Sequence, residues 1–180
     1  MREPIVVLGT PRSGTSLVCG ILAAHGVWTG DCREPEPINP KGFFENIALD
    51  DLRVKDALSR NNVAAVLRSE GYTGGPWLAK HTPRYAETWR AFDPVWVVVR
   101  RNPESVLVSR KAYFEETEDH ARDVIATDNR LLNGIEGVNV WPEKFVSGDF
   151  FGILPVLNQV GIAFDPNLAN NFMEPRLWHH

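Results

Sequence analysis

The eight residues Gly9-Thr-Pro-Arg-Ser-Gly-Thr-Ser16 combine two glycines with hydroxyl side chains and one arginine. Glycine lets a backbone approach an anion closely. The run lies between a short apolar, β-branched stretch, Pro4–Gly9, and a helical stretch from about Gly14 to His25. At such a strand-to-helix turn the free N–H groups of the first helical turn, with the helix dipole behind them, make an anion site. A second constellation follows about ninety residues later. Arg101 stands after the apolar run Pro94–Arg100, and Ser105 and Ser109, four apart, share one helix face. Either hydroxyl can face the same anion as the arginine.

The spacing of Gly9, Gly14 and Ser16 nearly repeats the phosphate-loop pattern G-x-x-x-x-G-K-S/T, but Thr15 occupies the lysine position. The nearest cation is Arg12, inside the loop. Phosphoryl-transfer enzymes of this type use that lysine on the β- and γ-phosphates and the Ser/Thr on magnesium. Its loss speaks against ATP chemistry. A sulfuryl group carries less charge than a phosphoryl group, so an arginine and backbone amides can handle it without magnesium.

Pro11-Arg-Ser-Gly-Thr-Ser16, followed by Leu17 and Leu22, resembles the 5'-phosphosulfate loop of PAPS-dependent sulfotransferases. The resemblance implies that Arg12 contacts the bridging region and the transferring sulfuryl group, and that Ser13, Gly14, Thr15 and Ser16 hold the phosphate. The family's 3'-phosphate site has an arginine at a strand end and a serine eight residues later, which Arg101 and Ser109 match. Implied with it are PAPS as donor, PAP as product and no metal. The likeness is firm over residues 4–25 and 77–114 and thin after 120.

Sulfuryl transfer to a hydroxyl or amine needs a base for the acceptor proton and a cation for the leaving phosphate. Lys80, in Ala79-Lys-His-Thr-Pro83, stands at a strand end, where the family often has a lysine that contacts substrate. For the base, the resemblance points to a glutamate about twenty residues past the loop arginine, Glu34 or Glu36. It also points to Glu45 in Asn39-Pro-Lys-Gly-Phe-Phe-Glu-Asn46, and to a histidine after the strand lysine, for which His81 stands one residue early. The candidates are Glu45, Glu34 and His81, in that order. Family members often add a late basic, glycine-containing loop, for which the chain offers only Lys144, Gly148 and Arg176. Trp28, Phe43, Phe44 and Trp77 are candidates to line an acceptor pocket.

Positioning these residues calls for strands at Pro4–Gly9, Pro76–Lys80, Pro94–Arg100 and, weakly, Val138–Trp141. Helices are expected over 46–61, after Asn102 with Pro103 at the first position, over 119–133 and over 151–160. The alternation predicts an α/β fold: a P-loop-like open parallel sheet of about four or five strands, helices on both faces, in a single compact domain spanning 1–180. Gly26–Asn46 reads as a proline-rich loop over the site. The 180 residues carry 19 basic and 23 acidic side chains, a formal charge of -4. That balance gives no footprint for nucleic acid or an anionic membrane, and argues against a long polyanionic acceptor. The expected partner is a small-molecule, glycan or peptide acceptor. The longest apolar runs fall short of the roughly 20 residues of a membrane span. Cys19 and Cys32 have neither disulfide nor metal spacing, so a reduced, cytoplasmic compartment is expected. The alternatives are a P-loop-like nucleotide kinase with a displaced cation and a non-catalytic nucleotide-binding protein.

Overall fold

The computed structural model describes residues 2–37 and 39–174. Arg176 and the terminal His179 and His180 lie outside them. Strand β1 (Ile5–Leu8) is fully buried at all four residues. A strand covered on both faces reads as an unbroken apolar run, which is why β1 shows no polar alternation. It pairs in parallel with β2 (Leu78–His81) on one side and β3 (Val95–Val99) on the other, and β3 pairs in parallel with β4 (Val138–Val140). The sheet order is β2-β1-β3-β4. The chain leaves β1 for one neighbour and later returns to the other, so the order reverses between β1 and β3. Open α/β sheets bind ligands above the carboxyl ends of the strands at such a reversal.

The helices are α1 (Thr15–Ala24), α2 (Ile47–Val54), α3 (Arg60–Ser69), α4 (Ala86–Arg90), α5 (Pro103–Phe114), α6 (Glu118–Asn133), α7 (Pro142–Val146), α8 (Leu154–Val160) and α9 (Pro166–Phe172). They cover both faces. Ile5 and Val7 pack with Val18, Ile21 and Leu22 of α1 and with Val156 and Leu157 of α8. Val6 and Leu8 turn to the other side, against Val63 and Leu67 of α3, Trp89 of α4 and Leu132 of α6. Each fully buried side chain of this kind stabilises the fold by about 1.5–3 kcal/mol relative to exposure. Cys19 is one of them, a plain core thiol.

The expected helix over 46–61 is two helices. Asn46 caps α2 through the Leu49 N–H at 2.9 Å, but Asp56 takes a left-handed φ of 52°, which no α-helix can carry. Ser59 then caps a fresh start at α3 through the Asn62 N–H at 3.2 Å. The start of α5 follows the sequence closely. The Asn102 side chain accepts from the N–H groups of Glu104 and Ser105 at 2.9 and 3.4 Å, with Pro103 in the first turn. That cap fixes the register of Ser109 relative to the end of β3. At the far end of the chain α9 lies across α1. A Cβ on Gly20 would sit 1.9 Å from the Phe172 ring, so glycine there permits the approach that brings 172–174 to the cleft.

Candidate functional site

The loop between β1 and α1 owes its shape to three residues. A Cβ on Gly9 would lie 2.6 Å from Ser13 Oγ, 2.7 Å from Thr15 Cγ2 and 3.1 Å from Val99 Cβ, so the turn passes too close for a side chain. Gly14 caps α1 at φ 94°, outside the range most residues tolerate. Arg12 is left-handed too, at φ 77°, a conformation that costs a non-glycine residue about 1–2 kcal/mol. Strain of this sort persists where the surroundings over-determine it. Here they do. The Arg12 carbonyl accepts from Arg101 Nη1 at 2.9 Å, and its own guanidinium donates through Nε to Ser109 Oγ at 3.1 Å.

Those two bonds join the two sequence motifs into one site. Arg12 also lies over the Tyr113 ring, 4.7 Å from its centroid. Burial lowers the pKa of the Arg12 guanidinium from its ordinary value, with Tyr113 opposing. Burial lowers that of Arg101 as well, the charge of Arg12 adds to the effect and Glu143 opposes it. Both remain cations, because arginine starts so far above neutral pH. Two like charges held near each other mark a place that an anion would stabilise. Ser13 does not line the cleft: its Oγ is buried against Gly9 and has no hydrogen-bond partner among the described residues. The Thr15 and Ser16 amides, in the first turn of α1, have no acceptor within the helix.

Beside the loop, Lys80 enters from β2. Its ammonium donates to Ser16 Oγ at 2.9 Å and to the Phe43 carbonyl at 2.6 Å, and pairs with Glu45 Oε1 at 2.8 Å. It is only 7% exposed, so this cation is held by three oxygens and not by water. The other Glu45 oxygen, Oε2, is buried and has no partner among the described residues. Its hydrogen-bonding capacity is unused by the described residues.

His81 also borders the cleft, but its ring is buried and stacked on Trp89 with centroids 5.5 Å apart. Burial pushes its pKa down to about 4, with Asp50 opposing the shift. Glu34 and Glu36 are exposed on the 26–46 segment and do not line the cleft.

The cleft holds about 390 Å³. Of the residues singled out in the sequence, Arg12, Gly14, Thr15, Ser16, Glu45, Lys80, His81, Arg101 and Ser109 line it. Phe43 does too, whereas Phe44 packs edge-on to Phe172 and Trp28 edge-on to Tyr72. Trp77 is fully buried, edge-on to Trp89, with Nε1 donating to the Arg2 carbonyl at 2.8 Å; it is core and not an acceptor wall. Lys144 and Gly148 close the turn after α7, where the Gly148 N–H meets the Phe145 carbonyl at 2.9 Å, and neither reaches the cleft. Tyr113 and Asn39 were not foreseen as site residues. Tyr113 follows Ser109 by one helical turn, a spacing that could have identified it. The Asn39 side chain donates to Ser16 Oγ at 3.2 Å across a loop, and no local signal announces that. Among the described residues no three His, Cys, Asp or Glu side chains gather to hold a metal, and no helix is long and apolar enough to cross a membrane.

With this geometry in hand, the chain is similar in structure to the sulfotransferase domain from the Synechococcus PCC 7002 olefin synthase. The TM-score is 0.63 at 16% identity, covering 98% of this chain and 80% of that one. At that identity the likeness defines the fold: an α/β domain with a four-stranded parallel sheet, of the sulfotransferase P-loop-like type. No family model and no curated protein matches the chain.

Proposed function

We propose that this protein is a sulfotransferase that takes its sulfuryl group from PAPS and passes it to an acceptor hydroxyl or amine. One observation carries the reading: Arg12 of the loop is bonded to Ser109, and Arg101 to the loop itself, so two anion-binding motifs converge in one cleft. A donor with phosphates at both ends calls for that arrangement. The loop and the start of α1 would hold the 5'-phosphosulfate, and Arg101 with Ser109 the 3'-phosphate. The two neighbouring guanidiniums, both lining the cleft, suit such a ligand. The structural neighbour's being a sulfotransferase domain supports the same reading.

In the proposed reaction the acceptor oxygen or nitrogen attacks sulfur in line. The bond from sulfur to the phosphate oxygen breaks, and PAP leaves with the electron pair. Glu45, through Oε2, takes the acceptor proton. Lys80 and Arg12 stabilise charge developing on the leaving oxygen, and Lys80 also keeps Glu45 in place. His81, stacked and walled in, supports the β2 end and takes no proton from the acceptor. A kinase reading has less support: Thr15 stands at the lysine position, and ATP leaves the Arg101–Ser109 site without a role.

The test is acceptor-dependent conversion of PAPS to PAP by the purified protein, read by chromatography of the nucleotide across alcohols, phenols and amines. Consumption of ATP with magnesium, and none of PAPS with any acceptor, would overturn the proposal.

A further inference from the structure

Besides the loop and α5, the cleft is lined by residues of the 33–53 segment, the turn after β2 and the end of α9. Among these residues three cations lie on three aromatic rings. Arg53 sits 4.2 Å from the Tyr85 centroid, Lys41 4.9 Å from that of Phe172, and Arg33 5.7 Å from that of Phe43. Two of these charges are already matched, Arg53 by Asp50 at 2.7 Å and Lys41 by Glu174 at 3.6 Å. Lys80 is matched by Glu45. Among the described residues Arg33 has no carboxylate at ion-pair distance.

The backbone of Arg33 is also fixed beside that of the candidate base, with its side chain exposed at the cleft. The chain at Asp31–Arg33 runs antiparallel to Glu45–Ile47: Cys32 bridges Asn46, the Arg33 N–H donates to the Glu45 carbonyl at 3.1 Å, and the Ile47 N–H donates to the Asp31 carbonyl at 3.0 Å. Residues opposite each other in an antiparallel pair share a face. Arg33 and Glu45 both line the cleft, so a substrate whose hydroxyl meets Glu45 has its neighbouring atoms on the side that Arg33 borders.

Building on the sulfuryl-transfer reading, we propose that the acceptor is a hydroxy acid: an apolar or aromatic body bearing one anionic group a few bonds from the reacting hydroxyl, with Arg33 as the residue that recognises the anion. One uncompensated cation fits one negative charge. A polyanion would meet the matched carboxylates Asp50 and Glu174 in the same cleft and a chain of net charge -4 around it. The rings under the three cations fix the charged heads while presenting apolar surface to the substrate body.

The experiment is calorimetric titration of the PAP-loaded protein with 3-phenylpropanoate and with 3-phenylpropan-1-ol, so that no turnover is needed. The acid is expected to bind at least about fivefold more tightly than the alcohol, the scale of a charge-assisted contact that stays partly hydrated. Arg33→Gln should abolish that preference and Arg33→Lys retain part of it. Lys55→Gln, at a charge 70% exposed and outside the cleft, should leave it unchanged. A PAP complex that binds acid and alcohol alike, or does not bind the acid at all, overturns this proposal alone. Loss of PAP binding in Arg33→Gln would assign Arg33 to the donor site and overturn it too. A wild-type protein that takes up no PAP overturns the donor reading, and this one with it.

Discussion

Replacing His81 by phenylalanine tests how the β2 side of the cleft is held. The imidazole is 5% exposed, stacked on Trp89 at 25°, and its Nε2 is buried without a partner among the described residues. Burial is the main cause that lowers its pKa from 6.5 to about 4. The folded value lies below the unfolded one, so as the pH falls the unfolded chain takes up the proton first. The stability contributed by the neutral ring is complete above pH 6.5, declines as the pH falls towards about 4, and is lost below that. The interval corresponds to about 3 kcal/mol. Phenylalanine keeps the stacking, cannot titrate and replaces the orphaned nitrogen with carbon. Urea unfolding followed by tryptophan fluorescence measures the difference, and comparison with wild type at each pH cancels the other titrating groups. With a urea dependence of about 2 kcal/mol per molar, the wild-type midpoint should fall about 1.5 M further than the variant's between about pH 7.5 and pH 4. Parallel pH profiles would refute the claim that His81 is held neutral by burial.

Three further substitutions probe the site. Ser109→Ala removes the hydroxyl that accepts from Arg12 and leaves a half-buried guanidinium donor unmatched, so PAP affinity by calorimetry should drop about tenfold. An unchanged affinity would detach Ser109 from the donor site. Glu45→Gln should reduce kcat by about 100-fold or more while PAP affinity stays within about twofold. An equal loss of both would make Glu45 a donor-binding residue instead of the base. Gly9→Ala places a methyl against Ser13, Thr15 and Val99 and should abolish PAP binding in a protein that still unfolds cooperatively. Retained binding would mean the loop has room that the packing around Gly9 denies.

The β1–loop–α1 unit was legible because its determinants are local: an apolar run, two glycines and a helix start within twenty-one residues, 4–24. The α5 start was legible for the same reason, since Asn102 and Pro103 act on their own turn. Helix α3 was missed where Asp56 breaks one helix and Ser59 begins another, because an aspartate in a left-handed conformation looks in sequence like any helix-tolerant residue. The pairing of Arg12 with Ser109 spans 97 residues, and the three oxygens around Lys80 come from two distant segments. Such contacts exist only once the sheet order is set. The sequence ranked Glu34 next to Glu45, and burial separates them: Glu45 is drawn in beside Lys80, while Glu34 stays in solvent.

The central claim is that one cleft binds a nucleotide by phosphates at both ends, and calorimetric titration with PAP tests it most directly. Wild type should bind PAP in preference to ATP, and Arg12→Ala and Arg101→Ala should each weaken PAP by about tenfold or more. Tight binding of ATP with no response to PAP, or PAP binding indifferent to both arginines, would contradict the account.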